Sequence, residues 1–125
     1  MRALPIAMYF YNNIDKLIQT TAESCILTHN TDIAVESAII TNITLASLLN
    51  GKEKFDAINE GIKLTKKMHG NYGEKTEEPK IYEKIQNAIK LVRGKNINEA
   101  SLIIPDKIGV SWFARDTIPN AFSNY

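Results

Sequence analysis

Residues 30–51 constrain the fold more than any other part of the sequence. Three good N-cap residues open the segment at 30–32, and Gly51 is the expected stop. Between them, apolar residues recur at helical spacing: Ile33, Ala34, Ala38, Ile39, Leu45, Ala46 and Leu49, with Val35, Ile40 and Ile43 widening the face. Many of these residues are β-branched, but the run is too long for one strand and contains no turn signal. A helix this apolar is predicted to be central and covered on more than one side.

Helical periodicity extends through most of the chain. The pattern predicts further helices at about residues 4–11, 15–25, 53–69, 80–93, 97–103 and 110–122, the last with Pro119 inside it. The polar residues 70–79 are the best candidate for a mobile connection, and residues 105–109 are predicted to form a loop. No segment alternates apolar and polar residues as a half-buried strand does. We therefore predict an all-α fold, an orthogonal multi-helix bundle.

Length and charge exclude several classes of protein. A chain of 125 residues is expected to form one domain with a real core. The net charge of +1 gives no electrostatic reason to expect nucleic acid or an anionic membrane as a partner. No apolar run approaches the roughly 18 residues needed to cross a bilayer. The first ten residues make a poor signal peptide, so the expected location is the cytoplasm.

Several residues with chemical potential have simpler structural interpretations. Cys25, the single cysteine, has apolar neighbours and is predicted to be a small buried thiol. His69 precedes a glycine at a helix end, where a histidine favourably meets the negative end of the helix dipole. Glu74, Glu77 and Glu78 fall in the polar connection and are interpreted as a solvated loop, not a metal site.

The Thr28-His29 pair is the strongest candidate for a functional site. It lies in a short connection and is followed by an Ala-rich helix with an acidic first turn. From the residues alone, His29 is more readily a structural histidine than a ligand-binding one. The arrangement resembles the ADP-ribosylglycohydrolase family, of the dinitrogenase reductase-activating glycohydrolase type. In that family a Thr-His connection of this kind lies at the ADP-ribose pocket.

Two other stretches carry the same resemblance. Met1 and Arg2 match the end of a family loop of the form Asn-Gly-x-x-Met-Arg, which wraps the diphosphate of ADP-ribose. The segment from Gly109 resembles the family pattern Gly-x-Gly-Ω-x-Ala-x-Glu-Ser-x-Pro-x-Ala, in which Ω lines the adenosine end of the pocket. Trp112 takes the Ω position. Ser111 replaces the second glycine and Asp116 the glutamate, and the first change removes the residue that best permits close backbone approach.

The resemblance also implies what this sequence lacks. Family members bind two Mg²⁺ ions through a Thr-Asp-Asp type motif near the start and a Gly-Gly-Asp-x-Asp-Thr type motif near the end. Neither motif occurs here. Residues 1–125 are therefore interpreted as a partial helical domain, the central portion of the family fold, with no catalytic residue and no metal ligand of its own. Mg²⁺ is expected only for the full-length family domain.

The resemblance implies removal of ADP-ribosyl groups from modified targets, and this chain is expected to be a fragment that is inactive alone. The implied substrate-binding residues are Met1 and Arg2 beside the diphosphate, His29 near the phosphate and distal ribose, and Gly109, Ser111 and Trp112 towards the adenosine. The expected partner is ADP-ribose or an ADP-ribosylated protein, held weakly. In a partial domain the longest helix, about residues 30–51, is expected to lack part of its cover, and the apolar surface that it exposes is expected to cause self-association. The alternative is a non-catalytic helical module that binds a protein partner or a nucleotide.

Overall fold

A computed structural model describes residues 3–108 and 114–123, apart from the side chain of Ile108. This part of the chain contains no strand, only an isolated β-bridge between Thr31 and Glu74. Its α-helices are α1 (Ala3–Phe10), α2 (Ile14–Ile26), α3 (Asp32–Leu49), α4 (Lys54–Lys67), α5 (Ile81–Val92), α6 (Ile97–Ile103) and α7 (Ala114–Ser123). The predicted all-α helical bundle is confirmed. The chain divides into two compact units, Met1–Glu77 and Glu78–Tyr125.

Helix α3 is the central helix of the first unit, as its composition predicted. It begins where the Thr31 hydroxyl accepts a hydrogen bond from the backbone N–H of Ala34. It then packs against α1, α2 and α4. By length and composition alone α3 could cross a membrane, but 61% of it is buried inside the structure. A core helix meets the same criterion, and the packing of α3 is that of a core helix.

The core of the first unit forms where α1, α2 and α4 meet α3. Helix α2 starts at Asn13, whose side chain accepts a hydrogen bond from the N–H of Lys16 at 3.1 Å. Burial of the apolar faces supplies the main stabilising term. The buried cluster consists of Ala7, Leu17, Ala22, Val35, Ile39, Ile43, Ala46 and Met68.

Helices α3 and α4 approach closely at Gly61. A Cβ atom at this position would lie 2.5 Å from the Thr44 hydroxyl and 3.1 Å from the carbonyl oxygen of Ile40. Both distances are below ordinary van der Waals separation, so no residue larger than glycine fits without movement. The absence of a side chain on α4 therefore sets how near the two helices lie.

The second unit is organised around the amphipathic helix α5. Its buried face consists of Ile81, Tyr82, Ile85 and Ala88, and α5 packs chiefly against α7. An ion pair joins the same two helices, with Lys84 Nζ 3.0 Å from Asp116 Oδ1. Arg115 forms a second ion pair, with Glu78.

The prediction of a loop at residues 105–109 is wrong for residues 105–108. Ile104–Ile108 continue α6 as one turn of π-helix. Pro105 has no N–H to donate to the carbonyl oxygen four residues before it, which removes one α-helical hydrogen bond. Here the chain remains helical and takes the wider π spacing instead. In the last predicted helix Pro119 does lie inside α7, fully buried, while residues 110–113 fall outside the described residues.

Candidate functional site

The connection between α2 and α3 presents His29 at the surface. The backbone N–H groups of Thr28 and His29 both donate to the carbonyl oxygen of Cys25, at 3.1 and 2.8 Å, which closes a tight turn after α2. The His29 side chain is exposed, and its Nδ1 lies 2.9 Å from the hydroxyl oxygen of Thr28. The turn therefore fixes the backbone beside the imidazole and leaves the ring accessible.

A second segment supports this connection from the other side. The N–H of Glu74 donates to the carbonyl oxygen of Asn30, and the N–H of Asp32 donates to the carbonyl oxygen of Glu74, both at 2.9 Å. Gly73 permits the approach: it has φ +77°, and a Cβ there would lie 2.6 Å from the backbone of Thr31 and of Asp32. The segment that the sequence suggested as mobile is thus bonded to the start of α3.

Asp32 strengthens the same attachment. Its carboxylate accepts hydrogen bonds from the Thr76 hydroxyl at 2.7 Å, from the Thr76 N–H at 3.1 Å and from the Ile33 N–H at 2.7 Å. Burial alone would raise the pKa of Asp32. The hydrogen bonds from Thr76 and Ile33, with a contribution from His69, outweigh burial and hold the pKa below its ordinary value of 3.8. Asp32 is therefore an ionised anchor for the loop.

A buried pair that the sequence did not reveal lies one turn further along α3. The Glu36 side chain is almost fully buried, and its Oε1 lies 2.7 Å from His69 Nδ1. The N–H of Gly70 also points at this oxygen, at 3.3 Å. His69 thus contacts a specific carboxylate as well as ending a helix. The one sequence signal for this pair was that Glu36 is the only charged residue of α3 after Asp32.

A pocket of about 190 Å³ opens beside the Thr28-His29 connection. The described residues that line it include no lysine, arginine, aspartate or glutamate: Ala3, Thr21, Ser24, Cys25, Thr28, His29 and Ala38. Hydroxyl groups, the imidazole and the Cys25 thiol supply its polar atoms. The predicted buried thiol is only partly buried and faces this pocket. Ala3, the first residue of α1, brings the start of that helix next to His29.

Of the predicted site residues, His29 alone lies in the described part of the chain. Met1, Arg2, Gly109, Ser111 and Trp112 fall outside the described residues. The structure therefore places His29 in a pocket with the residue that follows Met1-Arg2 in the sequence. The proposed roles of the other five remain predictions.

The carboxylates of the described residues do not fit an Mg²⁺ site. Mg²⁺ requires near-octahedral coordination by oxygen atoms. Within residues 3–108 and 114–123, no group of three or more His, Cys, Asp or Glu side chains is arranged to hold a metal ion. The buried and half-buried carboxylates are bonded to protein groups instead: Asp32 to Thr76, Glu36 to His69, Glu60 to Lys52 and Ser47, and Asp116 to Lys84.

Comparison with known proteins identifies one family. No curated protein and no solved structure matches the chain. The sequence model of the ADP-ribosylglycohydrolases matches residues 1–124, which is nearly the whole chain. The match includes the Thr28-His29 connection and both other stretches that carry the resemblance. The chain belongs to the ADP-ribosylglycohydrolase family.

Proposed function

We propose that this chain forms part of the ADP-ribosyl-binding pocket of a glycohydrolase, with His29 as a substrate-binding residue. Family membership supports a glycohydrolase-like function. The observation that carries the proposal is the pocket in which His29 lies beside the start of α1. Ala3, which follows one of the stretches that resemble the family, lines the same pocket as residues 28–29, although the two are far apart in sequence.

The polar groups of the pocket suit a sugar phosphate. Hydroxyls on Ser24 and Thr28 can donate to or accept from ribose hydroxyls and phosphate oxygens. The Thr28 hydroxyl donates to the carbonyl oxygen of Cys25 at 3.4 Å and lies 2.9 Å from His29 Nδ1. The His29 Nε2 accepts from a ligand hydroxyl when Nδ1 carries the proton, and donates to a ligand oxygen when Nε2 carries it. A volume of about 190 Å³ is below the roughly 300–1,000 Å³ of pockets that enclose drug-sized ligands. This pocket accommodates one part of ADP-ribose, so binding by the chain alone is weak.

Hydrolysis is proposed to require groups outside these 125 residues. No group of acidic, histidine or cysteine side chains among the described residues is arranged to hold a metal ion, and the family metal motifs do not occur in the sequence. His29 acting as a general acid or base would contribute about 10²–10⁴-fold, which does not replace an activated water held by metal ions. The chain accordingly supplies binding and orientation of an ADP-ribosylated target.

Titration with ADP-ribose tests the binding site. NMR at millimolar ligand should show shifts at residues 24–29 and around Ala3, with much smaller shifts for adenosine alone. His29→Ala should weaken binding about three- to tenfold, the value of one hydrogen bond. Lys63→Ala, an exposed residue of α4, is the matched control and should leave the affinity unchanged. Shifts confined to other regions, or equal binding by the His29→Ala variant, would contradict the proposal.

A further inference from the structure

Asn42 is a polar side chain placed in the apolar core of the first unit. It is fully buried on α3, between Ile39 and Ile43 in the sequence. Its Nδ2 donates to the carbonyl oxygen of Ala3 at 2.8 Å and to the hydroxyl oxygen of Thr21 at 2.9 Å. One amide group therefore joins three helices: α1 through Ala3, α2 through Thr21, and its own helix α3.

Both partners of Asn42 line the His29 pocket. Ala3 and Thr21 form part of its wall, and so does Ala38, one helical turn before Asn42 on α3. The amide thus lies directly behind the wall. Since Ala3 is the first residue of α1, the hydrogen bond to its carbonyl oxygen fixes where that helix begins relative to α2.

The energetics of this side chain favour a role in geometry over one in stability. Asn42 Oδ1 is buried and has no hydrogen-bond partner among the described residues. An unsatisfied buried oxygen costs roughly 1–3 kcal/mol, whereas an apolar side chain of similar shape can be nearly neutral. The Ala3 carbonyl is also positioned to accept the helical bond within α1. The amide therefore contributes mainly by orienting Ala3 and Thr21 through its two hydrogen bonds.

We propose that Asn42 is a positioning residue, which holds the start of α1 against α2 and thereby sets the wall of the pocket that contains His29. The expected effect of Asn42 on ligand binding rests on the function proposed above. The attachment of α1 to α2 through the Asn42 amide rests on the two hydrogen bonds alone.

The single cysteine provides a direct readout of the pocket wall. Cys25 on α2 lines the same pocket as Ala3 on α1 and is only partly buried, so a movement of α1 away from α2 should change its rate of alkylation by iodoacetamide. Under native conditions Asn42→Leu should accelerate alkylation about tenfold, as expected when bonds worth about 1.4 kcal/mol no longer hold the wall. Thr21→Val, which keeps the shape and removes one bond, should give a smaller increase.

The control is Ile62→Val on α4, a buried substitution outside the pocket that costs about 0.5–1.5 kcal/mol. It should leave the alkylation rate unchanged, which separates a local effect on the wall from general loss of stability. Circular dichroism establishes whether each variant is folded. If Asn42→Leu disturbs folding, the alkylation rate of the Thr21→Val variant decides the test. Wild-type alkylation rates in the folded Asn42 and Thr21 variants would overturn the proposal.

Ligand binding gives the second readout. Asn42→Leu should weaken ADP-ribose binding about tenfold, while Ile62→Val leaves it unchanged. Absence of ADP-ribose binding by the wild-type chain would contradict the proposed function, yet the alkylation rates would still decide the role of Asn42. Faster alkylation together with unchanged ADP-ribose affinity would overturn its role in the binding pocket.

Discussion

At the scale of single residues, Asp32 links the candidate site to its support. It begins α3, so its charge lies at the positive end of the helix dipole. The same carboxylate accepts both hydrogen bonds from Thr76, which ties the segment after α4 to the connection that contains His29. Glu60 is a second anchor: hydrogen bonds from Lys52 and Ser47 lower the pKa of this carboxyl group as well.

We predict that Asp32→Asn lowers the free energy of unfolding at pH 7 by about 1–3 kcal/mol, because hydrogen bonds to an ionised group are lost or weakened. The lowered folded-state pKa means that this contribution is fully present above the ordinary aspartate pKa of 3.8, which applies to the unfolded state. The contribution is lost as the pH falls through the folded-state value. Urea unfolding from pH 7 to pH 2 should show wild type and variant converging below pH 4.

The control for Asp32 is Asp15→Asn, which changes an exposed carboxylate in the first turn of α2. Asp15→Asn should lower the free energy of unfolding at pH 7 by less than Asp32→Asn does. The loss of stability on acidification should stay almost as large as in the wild type. If Asp32→Asn had the same small effect as Asp15→Asn, the hydrogen bonds to Thr76 would not be the anchor described here.

At the scale of helices, the contact between α3 and α4 depends on Gly61. Gly61→Ala raises helix propensity by about 1 kcal/mol, yet its Cβ would lie 2.5 Å from the Thr44 hydroxyl. We predict that the steric overlap with Thr44 outweighs the gain in helix propensity. The variant should be less stable by about 1–3 kcal/mol, measured by urea unfolding. Thr44→Ala in the same chain should restore part of the loss, because it removes the nearest atom. Additive effects of the two substitutions would contradict this packing.

Most helices could be predicted from the sequence because their signals are local. Thr31 caps α3, Asn13 caps α2, and amphipathic spacing marks α5. The π-helical turn after α6 was missed because Pro105 normally signals a break. The depth of α3 in the core followed from its composition, but its close contact with α4 did not: Gly61 inside a helix pattern does not reveal which helix it faces.

The site could be predicted only in part, because sequence patterns reveal local structure but not which distant residues come into contact. His29 was recognisable because Thr28, its neighbour, completes a short motif. The pairs that support it join residues 33 positions apart, Glu36 with His69, and 44 positions apart, Asp32 with Thr76. No periodicity relates such partners, since folding of the intervening helix α4 brings them together.

At the scale of the molecule, the exposed apolar surface differs from the one expected. The sequence suggested that α3 would be left uncovered, whereas α3 is largely buried in its unit. Large exposed apolar side chains lie instead on α1, at Leu4, Met8 and Tyr9, at the end of α2, and on α6, at Ile97 and Leu102. Self-association stays a prediction, and α1 and α6 are the helices whose exposed side chains are expected to cause it.

We propose that the whole chain is a binding part of an ADP-ribosylglycohydrolase and does not hydrolyse ADP-ribosyl bonds by itself. The most direct test is release of ADP-ribose from an ADP-ribosylated protein by the purified 125-residue chain, with added Mg²⁺ and with EDTA. We predict no release above the uncatalysed rate in either condition, because no group of acidic, histidine or cysteine side chains among the described residues is arranged to hold a metal ion and the family metal motifs do not occur in the sequence. Robust release with Mg²⁺ that EDTA abolishes would contradict the account.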